Sequence, residues 1–138
     1  MSSLFVDTSG WANFFIPTEN RHAKALEYVR QIKQNQQNLI TTNYIMAELV
    51  ALLGSRYPLP RNRLFQYIRA VKTLSVVKVI HIDKETDTES WHLCESRPDK
   101  AWSLVDASSF VVMDQLNIHS ASTTDKHFEQ AGFIRLLK

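Results

Sequence analysis

An alternation constrains this chain more than anything else in it. Short apolar runs rich in β-forming residues, at 4–6, 39–42, 76–82, 118–123 and 133–137, are separated by longer stretches with helical spacing. Strands that alternate with helices predict an α/β fold around a mostly parallel sheet, because parallel neighbours are joined by a crossover long enough to hold a helix. The helical stretches fall at 10–15, 23–35, 44–53, 61–73, 83–97, 103–116 and 126–130. Pro17 halts the first, Thr18 is the expected cap of the second, and Asn43 that of the third, which Gly54 should stop. With no internal repeat and no linker-like segment, the chain reads as one domain over 1–138, about five strands flanked by helices.

Composition excludes several classes. A chain that is 44% hydrophobic and 22% charged has a core to bury and is not a disordered segment. Its one cysteine, Cys94, excludes an internal disulfide and a cysteine-based zinc site. An acid inside the first apolar run, with no base ahead of it, is unlike a signal peptide, and no apolar run approaches the roughly 20 residues of a membrane span. A reducing, cytoplasmic setting without membrane contact is therefore expected. The net charge of +2 permits an anionic partner without requiring one.

The chemistry resides in carboxylates. The run Leu4-Phe5-Val6 leads straight into Asp7, followed by Thr8, Ser9 and Gly10. An acid at that point is carried to the carboxyl-end rim of the sheet, where α/β proteins bind ligands. Asp125 closes the fourth strand after Ser122-Thr123-Thr124, and Asp106 opens a helix after Ser103. Strand ends and the helix starts that follow them share one rim. Each acid also has a purely structural reading, Asp7 and Asp125 as N-caps and Asp106 as the acid of a capping box with Ser103. Glu48 differs, being the only charged residue between 43 and 54, with Tyr44, Ile45, Ala51 and Leu52 as helical neighbours. It reads as a Glu at the edge of a mostly buried helix, or as a desolvated carboxylate whose burial demands a compensating cation or hydrogen bonds.

Four carboxylates on one rim would repel one another and raise each other's pKa, a penalty that a divalent cation removes. Oxygen donors, with no cysteine set and no required histidine, favour Mg²⁺ or Mn²⁺ over Zn²⁺. Such an ion activates water against a phosphodiester.

Taken together, Phe5-Val6-Asp7-Thr8-Ser9, Thr41-Thr42-Asn43-Tyr44 with Ala47-Glu48-Leu49, Ser103-Leu104-Val105-Asp106-Ala107, and Thr123-Thr124-Asp125-Lys126-His127-Phe128 with Gly132 resemble the PIN-domain ribonucleases. The nearest likeness is to the small VapC-type toxins of toxin–antitoxin pairs. It covers nearly the whole chain and matches all four acids in order, type and flanks. The resemblance implies a Mg²⁺- or Mn²⁺-dependent endoribonuclease cutting single-stranded or loop RNA, with an antitoxin protein and a second copy of itself as partners. It makes Asp7 and Asp106 the principal metal ligands, Glu48 and Asp125 the supporting acids, and Thr8, Ser9 and Thr124 hydroxyls that orient them. Asp99 is similar to a recurring acid upstream of the third motif, although an exposed loop acid is the simpler reading. His127 lies beside the site and reads as a packing or helix-surface residue.

Charge distribution points the same way. From 49 to 82 there is no acid, while Arg56, Arg61, Arg63, Arg69, Lys72 and Lys78 supply six bases among Tyr57, Phe65 and Tyr67. Arg56, Arg61, Arg63, Arg69 and Lys72 are the RNA-contact candidates, since bases hold phosphates and aromatics stack on unpaired bases; a solvated helix face is the structural alternative. Two other functions fit the same fold, an RNA-processing nuclease that is not a toxin and a non-catalytic RNA- or protein-binding module. The latter usually shows the loss of an acid, and none is missing.

Overall fold

A computed structural model describes residues 3–138. The elements run β1 (Leu4–Val6), α1 (Thr8–Phe15), α2 (His22–Gln34), β2 (Leu39–Thr42), α3 (Asn43–Arg56), α4 (Arg61–Thr73), β3 (Val77–Ile80), α5 (Lys84–Ser96), α6 (Leu104–Gln115), β4 (Ser120–Ser122), α7 (Lys126–Gln130) and β5 (Ile134–Arg135). All five strands pair in parallel, in the order β3-β2-β1-β4-β5. β1 is central and covered on both faces, which is why its residues form an unbroken apolar run instead of alternating.

The order matters for the site. The chain lays β2 and then β3 on one side of β1, and returns to place β4 and β5 on the other. Connections leaving β1 and β4 therefore diverge, and a crevice opens at their carboxyl ends. Asp7 follows β1 and Asp125 lies just beyond β4, so topology brings both acids to that crevice.

Packing fixes the rim. The Phe110 and Phe128 rings meet edge-on with centroids 5.0 Å apart, and Phe128 lies 6.3 Å from Phe5, which ties α6 and α7 to β1. Burying one such ring contributes about 1.5–3 kcal/mol. Buried Trp11 donates its indole N–H to Thr41 Oγ1 at 3.1 Å, and Thr41 donates to the Val6 carbonyl at 2.9 Å, locking α1 and β2 to the end of β1. Gly10 lets α1 lie against β4, because a Cβ there would fall 2.0 Å from the Ser122 carbonyl oxygen.

Several boundaries differ from those expected, each for a visible reason. α2 has Arg21 at its N-cap with no side-chain cap, and Thr18 sits in the preceding turn. Thr42, not Asn43, caps α3 by accepting the Ile45 N–H at 3.1 Å. Asn43 instead accepts the Ile82 N–H at 2.8 Å, which draws that backbone out of the ladder and ends β3 at Ile80. Gly54 does not stop α3, which continues to Arg56. β4 and β5 are shorter than expected, although bonds from Leu136 N–H to the Ala121 carbonyl and from Leu137 N–H to that of Thr123 carry the pairing outward. No helix among the described residues is long and apolar enough to cross a membrane.

Candidate active site

Asp7 caps α1 and faces the crevice, so the structural and functional readings fall on the same residue. Its Oδ1 accepts the Gly10 N–H at 2.9 Å and the Ser9 hydroxyl at 2.8 Å, and its Oδ2 accepts the Thr123 hydroxyl at 2.6 Å. Those bonds favour the ionised form, yet burial outweighs them and pushes the carboxyl from 3.8 up to about 7, with the nearby Asp125 charge adding to the rise. A cation beside it would reverse the shift. Ser9 Oγ in turn accepts the Thr124 N–H at 3.0 Å, and Thr123 Oγ1 accepts that of Asp125 at 2.9 Å. The loop after β4 is thereby stitched to the loop after β1.

Glu48 reaches the crevice from α3, where its Oε1 accepts the Thr8 hydroxyl. It is exposed, together with Ala47 and Ala51. The desolvation considered for Glu48 does not occur; α3 has an open side made of small residues, and the buried acid of the set is Asp7.

Asp106 and Ser103 form the expected capping box, with N–H to oxygen distances of 3.0 and 3.1 Å. The same Asp106 Oδ2 accepts the Nδ1–H of His127 at 2.9 Å. Asp125 caps α7, its Oδ1 accepting the His127 backbone N–H at 2.9 Å and lying 3.4 Å from His127 Nδ1. Candidate ligand atoms of Asp106, Asp125 and His127 all lie within 4.8 Å of one another, close enough to share one ion. His127, expected as a packing or helix-surface residue, therefore contacts two of the candidate acids. Its only signal in the sequence is its place in the first turn after Asp125.

All four acids line one cavity of about 240 Å³, floored by Ile45, Leu52, Val105 and Phe128. Among the described residues, Glu48 Oε2, Asp106 Oδ1 and Asp125 Oδ2 take no hydrogen bond, which leaves one oxygen of each acid to an ion. A hard donor set of this kind, with at most one imidazole nitrogen, fits a divalent cation.

The remaining candidates fall in different places. Of the expected hydroxyls, those of Ser9 and Thr8 bond Asp7 and Glu48, but the second hydroxyl on Asp7 comes from Thr123, and Thr124 contributes its backbone N–H to Ser9. Asp99 is an exposed loop acid paired with Arg97 at 3.0 Å and Lys100 at 3.9 Å. Arg61 lies over the Phe65 ring at 5.0 Å, and Arg63 is exposed on α4. Arg69 and Lys72 line a separate, mostly apolar cavity between α3, α4 and β3. Tyr67 stacks on Phe15 at 4.6 Å, packed against the core instead of open to a ligand. Of the five basic candidates, Arg56 alone lines the cavity next to the acids.

The chain matches the PIN-domain family model over residues 4–134, and it belongs to that family. It is 29% identical over 133 residues to the 23S rRNA-specific endonuclease VapC20 of Mycobacterium tuberculosis, a match spanning 96% of this chain and 97% of that protein. The crystal structure of M. tuberculosis VapC20, described as a sarcin-ricin loop-cleaving toxin, superposes with a TM-score of 0.82 at 27% identity, over 98% of this chain and 99% of that one. FitAcB of Neisseria gonorrhoeae superposes with a TM-score of 0.68 at 12% identity, over 98% of this chain and 96% of that one, and shares the fold. The chain is thus a homologue of an RNA endonuclease toxin.

Proposed function

We propose that this protein is a Mg²⁺- or Mn²⁺-dependent endoribonuclease and the toxin of a toxin–antitoxin pair. The observation that carries the reading is the convergence of Asp7, Glu48, Asp106 and Asp125 on one cavity at the switch point between β1 and β4. Asp7 and Asp106 are the principal ligands, supported by Glu48 and Asp125. When bound, the ion supplies Lewis acidity toward a phosphate oxygen and eases ionisation of water.

The chain's own residues set the geometry for that chemistry. Ser9, Thr123 and the Gly10 N–H fix both oxygens of Asp7; Oδ1 takes two of these bonds and Oδ2 one, so Oδ2 keeps a lone pair for an ion because a carboxylate accepts about four bonds. Thr8 steadies Glu48, and His127 with the Ser103 N–H holds Asp106. Orienting bonds of this kind keep ligands in place before the ion arrives. The rRNA cleavage carried in the name of the M. tuberculosis relative supports RNA as the substrate, and its description as a toxin supports an antitoxin partner; a second copy of the chain is proposed on the family resemblance.

Purified protein with Mn²⁺ or Mg²⁺ is expected to cut single-stranded RNA, leaving 5′-phosphate and 3′-hydroxyl ends, and to stop on addition of EDTA. Asp7→Asn and Asp106→Asn are each expected to abolish the cut, and cleavage surviving in both would overturn the assignment. Growth arrest on expression, relieved by the product of the adjoining gene, tests the toxin role separately.

A further inference from the structure

We propose that the cavity beside the acids, lined by Arg21, Arg56 and Arg135, seats the RNA phosphate neighbouring the one that is cut. The inference takes its ligand from the nuclease reading above. This second cavity, of about 300 Å³, shares Ser9 and Leu52 with the acidic one and is bounded by Thr124. Its guanidiniums come from distant points: Arg21 caps α2, Arg56 ends α3 and Arg135 lies on β5. Among the described residues, Glu19 is the only acid in its lining. A pocket of carboxylates and a pocket of arginines therefore sit wall to wall, with Ser9 in the wall.

A polyanion crossing the crevice needs that juxtaposition. A phosphodiester bridged by a divalent ion tolerates a bed of carboxylates. The phosphate one nucleotide along has no such ion and is repelled by the same acids unless cations face it. Guanidinium suits that place, because its planar fork matches phosphate oxygens two at a time.

The arginines are placed and partly unspent. Arg21 donates its backbone N–H to Asn13 Oδ1 at 3.1 Å, and Asn13 Nδ2 donates to the Ser9 carbonyl at 2.9 Å, which couples Arg21 to the loop that carries Asp7. The Arg21 guanidinium makes no hydrogen bond or ion pair among the described residues. Arg56 is largely exposed and lies 3.9 Å from Glu19 Oε1, a loose contact that a phosphate can displace. Arg135 donates from Nη1 to the Thr124 carbonyl at 2.9 Å, while its Nε lies 3.2 Å from Glu129 Oε1, misaligned for a hydrogen bond. By contrast, Arg69 and Lys72 of the basic helix α4 border the other cavity, away from the acids.

The test compares two double variants that lose equal charge. Binding of a labelled single-stranded RNA is read by fluorescence anisotropy, in EDTA so that nothing is cut, across a range of salt. Arg21→Gln with Arg56→Gln is expected to bind about tenfold more weakly near 0.1 M salt, and to flatten the log–log salt slope by about 1.4, roughly 0.7 for each lost contact. Arg63→Gln with Lys72→Gln on α4 should bind within about twofold of the unaltered protein, with its slope kept. Circular-dichroism melts check that both variants fold, and Arg135 is left intact because its bond to Thr124 also braces the acids. If the first pair binds like the unaltered protein, or the second loses as much as the first, the phosphate seat is overturned. Mn²⁺-dependent cleavage by the unaltered protein is scored apart: its absence would overturn the nuclease reading, and the binding comparison would still decide the arginines.

Discussion

Asp7 is asked to do two things that conflict at neutral pH. As a buried cap it is most comfortable with a proton, and as the metal ligand proposed above it must lose it. Its carboxyl is raised from 3.8 to about 7 by burial, so between those values the folded protein holds a proton that the unfolded chain has released. Stability therefore declines as pH rises from about 4 to about 7, and the loss is complete above the folded value. Asp7→Asn keeps the shape and the acceptor for Gly10 while removing the charge. In EDTA at pH 8 this variant should melt several degrees above the unaltered protein, with the gap closing toward pH 4. Calorimetry at both values checks this, and equal melting at pH 8 would show that burial exacts no penalty there. His127 marks the limit of what single residues reveal in sequence. Its bond to Asp106 spans 21 positions and depends on α7 folding back over α6, which no local pattern records.

At the level of elements, the turns and caps were largely legible. Asp7, Ser103 and Asp125 each cap the helix expected of them through a side-chain acceptor, and Asp83, the first residue of the stretch expected over 83–97, does the same for α5, because that bond is local and the residue type is selected by it. Thr18 and Asn43 were not legible, since another demand competes for each place. Asn43 serves the β3 strand through Ile82, and the hydroxyl of Thr42 takes over as cap. The open side of α3 escaped notice because Ala47, Ala51 and Gly54 look like core residues when only their side chains are counted. Gly10 carries a sharper requirement. The first turn of α1 passes so close to β4 that a methyl group would overlap the Ser122 carbonyl, and neither backbone can retreat without moving Asp7 or the Thr123 hydroxyl that holds it. Gly10→Ala should therefore destabilise the fold by about 3 kcal/mol, the upper range for overpacking, despite alanine's better helix propensity. Urea unfolding measures this, and a variant as stable as the parent would mean that α1 has room to shift.

For the whole molecule, the alternation of runs was enough to foresee a parallel sheet, but the strand order was not in it. That order decides the site, because placing β4 on the opposite side of β1 from β2 brings residues 7 and 125 to one crevice while α3 and α6 supply Glu48 and Asp106. Arg21 and Arg135 joined Arg56 by the same route, and no run of charge in the sequence announces them. A site assembled from four segments so far apart in the chain exists only in the folded state, so an ion bound there must stabilise folding by mass action. At 100 times its dissociation constant the ion adds about 2.7 kcal/mol, which raises the melting midpoint of a chain this size by roughly 10 °C. Binding also expels the proton from Asp7, so the Mn²⁺-induced rise should be larger at pH 8 than at pH 6. Asp106→Asn should lose most of the rise while its metal-free midpoint stays near that of the parent, because the amide oxygen still serves the capping box. Differential scanning fluorimetry with Mn²⁺ and with EDTA at both pH values reads all of this at once, and an undiminished rise in Asp106→Asn would place the ion outside the carboxylate cavity.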